Sequence, residues 1–174
     1  MKTIRILSLV LTLTLVVAFA SSCYIAMGTT MKKAKGTYEL TSYSITDGKT
    51  NAVRNKITED GVKVYLVVTG ESRGYYVYQS NDTPAYYREV NLSYEYSEED
   101  SKKLTYVIYR FDGADSDQRL GVNAGSMNFS RPAIKLSDKI YSDGISMSWK
   151  KVSSAVDLSY VIEQMGEIPP YVQP

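Results

Sequence analysis

Residues 86–96 read YYREVNLSYEY and carry the most regular alternation of apolar and polar side chains in the chain. The two faces of this segment are Val90, Leu92, Tyr94 and Tyr96 on one side, and Glu89, Asn91, Ser93 and Glu95 on the other. Because successive side chains of a β-strand point to opposite sides, this period of two predicts a strand with one buried and one solvated face. The segment therefore predicts an antiparallel sheet that covers a core.

The same period recurs from Gly36 onward, and turn residues such as Asp47-Gly48 and Ser142-Asp143-Gly144 interrupt it at short intervals. Predicted strands occupy residues 37–45, 62–69, 73–80, 86–96, 104–111, 120–129 and 133–136, and a last strand contains Ile145, Met147 and Trp149. Residues 51–60 lack a strong period and predict a loop or a short helical turn. Short strands at this spacing are typical of all-β sandwiches and barrels.

The period changes to that of a helix after Val152. Ser154 is a candidate N-cap with Asp157 three residues later, and Gly166 followed by two prolines ends the pattern. One short amphipathic helix is therefore predicted to pack against the sheet. Residues 104–111 are apolar on both faces, so we expect the helix to cover their second face.

Composition disfavours several classes of function. Twenty basic and nineteen acidic residues give a net charge of +1, which does not favour nucleic-acid binding. The chain has no histidine and one cysteine, so the usual general base, nucleophile and zinc ligands are missing from the sequence. The acidic residues 112–117 have their glycine misplaced for a calcium loop. We expect no enzyme activity, no catalytic residue, no cofactor and no metal site.

The N-terminus has the pattern of a secretory signal. Lys2 and Arg5 precede the apolar residues 6–20, a run too short to span a bilayer as a helix. The small residues that follow lead to Cys23, and Ala20-Ser21-Ser22-Cys23 resembles the lipobox of bacterial lipoproteins. The resemblance implies a signal peptide over residues 1–22 and a lipid on the thiol of Cys23.

A lipid on Cys23 implies that the chain is anchored in a membrane of the bacterial cell envelope, which is the outer membrane if the organism is Gram-negative. Tyr24 stands where an aspartate would retain a lipoprotein at the inner membrane. Residues 23–35 are predicted to be a tether. The alternative is a cut after Ala20, which completes the small-x-small pattern Ala18-Phe19-Ala20 and would release a secreted or periplasmic soluble protein.

The opening Gly36-Thr37-Tyr38-Glu39-Leu40, the strand count and the single C-terminal helix resemble the lipocalin-like domains of bacterial lipoproteins. That family carries Gly-x-Trp in its first strand, and a basic side chain near the end of the last strand packs over the ring. Here Gly36 and Tyr38 take the motif positions, and Lys150 or Lys151 would supply the base. The resemblance implies an all-β antiparallel meander barrel of about eight strands over residues 36–166 with one short C-terminal helix, followed by a tail, residues 167–174.

Such a barrel implies that the interior binds a small apolar ligand. The residues predicted to face that ligand or to fill the core are Leu66, Val68, Val77, Val90, Leu92, Tyr94, Tyr106, Ile108, Met147 and Trp149. The alternative is an envelope interaction or structural lipoprotein that works through its outer surface and binds no small ligand. The tyrosines Tyr76, Tyr78 and Tyr87, predicted to face outward, motivate that alternative.

Overall fold

The computed structural model describes residues 29–123 and 125–172, so Cys23 and the predicted signal peptide lie outside the described residues. The strands are β1 (Gly36–Thr46), β2 (Val53–Asn55), β3 (Lys63–Val68), β4 (Arg73–Ser80), β5 (Thr83–Tyr96), β6 (Leu104–Phe111), β7 (Gln118–Asn123), β8 (Ser126–Arg131), β9 (Ile134–Lys135), β10 (Tyr141–Ser142) and β11 (Gly144–Ser153). The helices are α1 (Met31–Ala34), α2 (Lys56–Asp60) and α3 (Ser159–Met165).

Eight strands form a closed antiparallel barrel. The order is β1, β3, β4, β5, β6, β7, β8 and β11, and β11 pairs back with β1 over residues 144–153. β2 pairs only with the end of β1, and β9 and β10 form a separate hairpin. The prediction of an eight-stranded antiparallel meander barrel with one short C-terminal helix is confirmed.

The interior is filled by alternate residues of the barrel strands. Val64, Leu66 and Val68 of β3 point inward and are almost fully buried. The alternation predicted for residues 86–96 has the correct phase, because Val90 and Leu92 lie in the same interior cluster. Burial of these side chains removes apolar surface from water and stabilises the closed sheet.

A second apolar cluster lies outside the barrel and is covered by α3. Tyr65, Val67 and Val77 on the outer faces of β3 and β4 pack with Val161 of the helix, and all four are almost fully buried. The rings of Tyr65 and Tyr160 are in edge contact, with centroids 6.4 Å apart. The helix therefore covers β3 and β4, whereas the sequence predicted that it would cover residues 104–111. β3 and β4 are also apolar on both faces, and the chain that follows β11 passes over them.

The helix also begins later than predicted. Ser154 is not its N-cap, because the first helical residue is Ser159 and the N-cap position is Leu158. The carboxylate of Asp157 accepts a hydrogen bond from the backbone N–H of Ser159. Asp157 thus supplies the polar contact that was assigned to Ser154.

Two strand assignments change for local reasons. Residues 120–129, predicted as one strand, form the hairpin of β7 and β8, with a turn that includes Gly125 at φ 76°. In β6, Tyr96 pairs with Leu104 and Glu95 with Tyr106, so Thr105 is an extra residue. This bulge places both Leu104 and Val107 inside the barrel. From Thr105 onward the residues of β6 therefore face the side opposite to the one predicted.

The folded unit extends beyond the predicted limits at both ends. Thr29 forms a β-bridge with Leu104, and Ala34 of α1 is fully buried, so residues 29–35 pack on the barrel rather than belonging to the tether. In the predicted tail, Ile168 is buried in the outer cluster and Pro170 forms a β-bridge with Tyr87. Residues 29–35 of the predicted tether and much of the predicted tail are therefore part of the fold.

Candidate functional site

One end of the barrel, where β1 begins, is closed by α1. The phenol of Tyr38 is buried and donates a hydrogen bond of 2.8 Å to the carbonyl of Ala34, the last residue of the helix. Burial raises the pKa of Tyr38 to about 12, so this hydroxyl remains a donor at neutral pH. We call this the closed end.

Lys151 ties α1 to the last strand. It is the β11 partner of Tyr38, and its ammonium donates to the carbonyls of Lys33, at 2.9 Å, and of Lys35. Gly36 makes room for this contact, because a Cβ at position 36 would lie 2.5 Å from Cε of Lys151 and 2.3 Å from the carbonyl oxygen of Ser153. Of the two lysines predicted to pack over the ring of Tyr38, Lys151 is its cross-strand partner but directs its ammonium to backbone carbonyls, and Lys150 is exposed.

The opposite end of the barrel is lined with partly exposed rings. Six barrel-strand side chains pack against the interior cluster there and remain partly exposed, namely Tyr43, Tyr76, Tyr78, Phe111, Phe129 and Met147, and Ile57 of α2 packs against the same cluster. We call these six residues the mouth. They come from five of the barrel strands, and their inward orientation follows from pairs such as Tyr43 with Met147 and Phe129 with Met147. The barrel thus has one end closed by α1 and one end whose inner wall is apolar and partly exposed beside α2.

Tyr76 connects the mouth to the buried centre. Its ring lies 5.7 Å from that of Tyr109 in a stacked arrangement, 5.0 Å from Phe111 edge to face, and 6.5 Å from Trp149. Contacts of this kind contribute about 0.5–1.5 kcal/mol each beyond area burial. The rings therefore form a rigid aromatic wall.

The hydroxyls of this wall stay protonated at neutral pH. Burial raises the pKa of Tyr76 well above its ordinary value, and the nearby phenols of Tyr109 and Tyr86 add to that shift. Burial likewise raises the pKa of Tyr109. The wall consequently offers neutral hydrogen-bond groups set among apolar ring surface.

Arg88 lies on the inner wall of the mouth. It is the β5 partner of Tyr76, and its guanidinium carbon lies 4.8 Å from the ring centroid of Phe111 and 4.7 Å from that of Tyr171. Within the described residues, Arg88 has these ring contacts but no hydrogen bond and no ion pair. The nearby carboxylate of Asp112 is occupied by other residues, Arg73 at 3.1 Å among them. The guanidinium donors of Arg88 are thus available at the mouth.

The C-terminal segment completes the rim beside Arg88. β6 ends where Phe111 pairs with Val90, which leaves the earlier part of β5 with a free edge. On this edge the backbone N–H of Tyr87 donates to the carbonyl of Pro169 at 3.0 Å, and its backbone carbonyl accepts from the N–H of Tyr171 at 2.8 Å. A groove of about 310 Å³ lies there, lined by Tyr87, Arg88, Glu89, Asp112, Pro170 and Tyr171.

The predicted interior residues separate into two groups. The structure places Leu66, Val68, Val90, Leu92 and Trp149 in the interior cluster, with Tyr94 and Met147 packed against it. Tyr106 and Ile108 lie on the outer face, where Arg119 stacks on the ring of Tyr106 at 3.7 Å, because of the bulge at Thr105. Val77 also points outward, beneath α3. For these three residues the predicted orientation was wrong.

The tyrosines predicted to lie on the outer surface are also placed differently. Tyr76 and Tyr78 face the interior, and Tyr87 packs into the outer cluster under the C-terminal segment. Both faces of β4 carry large rings, so the sequence alone does not identify its inner face.

Several residues in or beside the mouth were not predicted as site residues. Tyr43 and Phe129 lie near strand ends, and Tyr171 lies in a segment predicted to be a tail. Tyr109 and Phe111 were assigned to the face opposite Tyr106 and Ile108, which is the inner face in the structure. A search for large rings at one end of every predicted strand would have found Tyr43, Tyr78, Phe111 and Phe129 together.

No protein-family model, curated protein or solved structure matches this chain. In the described part of the chain, no group of three or more histidine, cysteine, aspartate or glutamate side chains could hold a metal ion. Nor does any helix within residues 29–172 combine the length and hydropathy that crossing a membrane requires.

Proposed function

We propose that this chain is a lipid-anchored cell-envelope protein of the lipocalin-like type, and that its barrel binds one small apolar ligand at the mouth. The observation that carries the proposal is the contrast between the two ends of the barrel. One end is sealed by α1, and the other presents partly exposed aromatic side chains on its inner wall. Concave apolar surface with a few polar groups is the usual form of a small-molecule site.

A ligand in the mouth would remove ring surface from water. Covering apolar surface contributes about 25 cal/mol per Å², so four or five partly exposed rings provide substantial binding energy for a small molecule. The hydroxyls of Tyr76 and Tyr109 would supply orientation, because burial keeps them protonated. The two requirements of such a site, contact area and directed polar groups, are both present on this wall.

The position of the closed end is consistent with a lipid on Cys23. Thr29, at the closed end, follows Cys23 by six residues, which span at most about 20 Å when fully extended. A lipid on Cys23 would hold the closed end near the membrane and leave the mouth facing the aqueous compartment. The ligand would then enter from solution rather than from the bilayer.

The anchor is tested by growing cells with a radioactive fatty acid and comparing the wild-type chain with Cys23→Ala. We expect label on the wild type and none on the variant. Equal labelling of both, or of neither, would end the anchor proposal, and a mature chain beginning at Ser21 would instead establish the secreted alternative.

Native mass spectrometry of the protein from its own organism tests the ligand, which should appear as a removable added mass.

One observation favours the alternative function, docking of an envelope partner on the outer surface. The hairpin of β9 and β10 exposes four large apolar side chains, Ile134, Leu136, Ile140 and Tyr141. The tyrosines that first suggested this function do not support it, since Tyr76 and Tyr78 face inward. A photo-crosslinking amino acid at Leu136 that captures one defined envelope protein, with none captured at exposed Val172, would favour this alternative.

A further inference from the structure

The inner wall of the barrel is asymmetric in charge. Following the pairing of the eight barrel strands, no aspartate or glutamate of the described residues falls on an inward row. Glu39, Glu89 and Glu95 all lie on outward rows. Three cationic residues do fall on inward rows, namely Lys151, Arg88 and Arg131.

The three cations differ in what their donors contact. Lys151 at the closed end is bound to backbone carbonyls. Arg131 continues the inward row of Met127 and Phe129 at the open end, where it makes one long hydrogen bond of 3.5 Å to the carbonyl of Asp143. Arg88 is partly buried between two rings. It makes no hydrogen bond and no ion pair with any residue that the structure describes. No carboxylate of the described inner wall pairs with this positive charge, although Glu89 and Asp112 line the groove beside Arg88 and the charge of Arg88 helps to lower the pKa of Asp112.

We propose that the ligand of the mouth is an anionic amphiphile, an apolar or aromatic body that carries one carboxylate, sulfate or phosphate group, and that Arg88 binds this group. The inference rests on the proposed ligand-binding function. The rings of Phe111 and Tyr171 hold the guanidinium by cation–π contacts, and no hydrogen bond or ion pair of the described residues occupies its N–H donors. A planar fork of donors is the group that pairs best with an oxyanion.

A second unpaired donor lies deeper in the same barrel. The indole N–H of Trp149 is buried and has no hydrogen-bond partner among the residues that the structure describes. Because a buried donor without a partner is costly, an oxygen atom reaching this depth would be stabilised there. A ligand with polar oxygens fits this wall better than a pure hydrocarbon does.

Two probes with the same aromatic body isolate the role of the charge: anilinonaphthalene sulfonate and its uncharged parent, N-phenylnaphthylamine. The full chain is reconstituted in phosphatidylcholine vesicles. Trp149 is the only tryptophan of the chain, so energy transfer from its indole to the bound probe reports binding near the barrel interior. Displacement of the sulfonate probe by decanoate or by decanol then tests an aliphatic body with and without charge.

For Arg88→Gln we expect about a tenfold loss of affinity for the sulfonate probe and less than a twofold change for the uncharged probe. Arg88→Lys keeps the charge and should recover part of the loss. Arg110→Gln is the matched control, because Arg110 lies on the outer face near Asp117 and should leave both affinities unchanged. Circular dichroism of each variant verifies that the barrel is folded.

The outcomes separate this inference from the function on which it rests. If both probes bind and Arg88→Gln leaves the sulfonate probe unaffected, or weakens both probes equally, the anionic ligand is refuted while the binding barrel stands. If neither probe binds the wild type, both proposals fail. If decanoate displaces the sulfonate probe no better than decanol does, the proposal of an anionic ligand is contradicted as well.

Discussion

Two cations on inward rows occupy opposite ends of the barrel and have different surroundings. Lys151 at the closed end donates to two carbonyls at the C-terminus of α1, and burial lowers its pKa. Arg88 at the mouth contacts two rings and makes no hydrogen bond or ion pair with the described residues. A cation whose donors are satisfied within the chain stabilises the fold, whereas one whose donors are free is available for a ligand.

Replacing Lys151 by alanine should destabilise the barrel by about 1–3 kcal/mol, because two carbonyls at the end of α1 would lose a charged donor. Urea unfolding followed by the fluorescence of Trp149 measures the change. Lys150→Ala is the matched control, since Lys150 is exposed and should change stability by no more than about 0.5 kcal/mol. Equal effects of the two substitutions would mean that the contact with α1 contributes nothing.

At the scale of the elements, α3 allows β3 to be buried on both faces. Val64 and Leu66 point into the barrel, while Tyr65 and Val67 lie under the helix, and all four are nearly inaccessible. An antiparallel strand buried on both faces needs a covering layer, and this short helix provides it. The seven residues of α3 are too few to be stable alone, so packing on the sheet must hold the helix.

Two adjacent residues of α3 test that packing. Val161 is fully buried and Ile162 is about half exposed, so Val161→Asp should cost at least about 3 kcal/mol by burying an unpaired charge, whereas Ile162→Asp should cost less than about 1 kcal/mol. Thermal unfolding of the two variants side by side gives the comparison. Similar melting temperatures would show that the helix is not docked on β3 and β4 in solution.

The same elements explain how far the sequence could predict the molecule. In β5 one face is polar, so the period of two predicted both the strand and the burial of Val90 and Leu92. β4 and β6 are apolar on both faces, and there the pattern does not identify the inner side. In β6 a single extra residue, Thr105, then reversed the predicted face of Tyr106. The mouth could not be assembled from the sequence, because its residues come from strands that meet only when the barrel closes.

At the scale of the whole molecule, many positions carry tyrosine where phenylalanine would pack equally well. This choice suits a barrel with one end exposed to water. The chain has sixteen tyrosines and three phenylalanines. Those near the closed end find partners inside the fold, as Tyr94 does by donating to the carbonyl of Glu71 at 2.9 Å. At the open end the side chains of Tyr43 and Tyr78 are partly exposed on a wall that is otherwise apolar, whereas the phenol of Tyr76 is buried.

This distribution makes the stability of the whole barrel depend on alkaline pH. Burial raises the pKa of Tyr38 from 10.0 to about 12, and it raises those of Tyr76 and Tyr109 as well. Above pH ~10 the unfolded chain releases these protons while the folded chain retains them, so the unfolded state is favoured. The stability contributed by the protonated phenols is complete below pH ~10 and is lost progressively as pH rises toward the folded pKa values, by about 3 kcal/mol for Tyr38 alone.

We therefore expect the urea concentration at the midpoint of unfolding to be constant between about pH 8 and pH 9.5 and to fall steeply above pH ~10. Phenolate absorbance should show that the buried phenols of Tyr38, Tyr76 and Tyr109 ionise only as the chain unfolds. Tyr38→Phe removes one buried phenol, so its midpoint should be lower at neutral pH, by the lost bond to Ala34, and should fall less steeply at alkaline pH. A midpoint that stays level to pH ~11 in the wild type would mean that these tyrosines are not buried in the folded barrel.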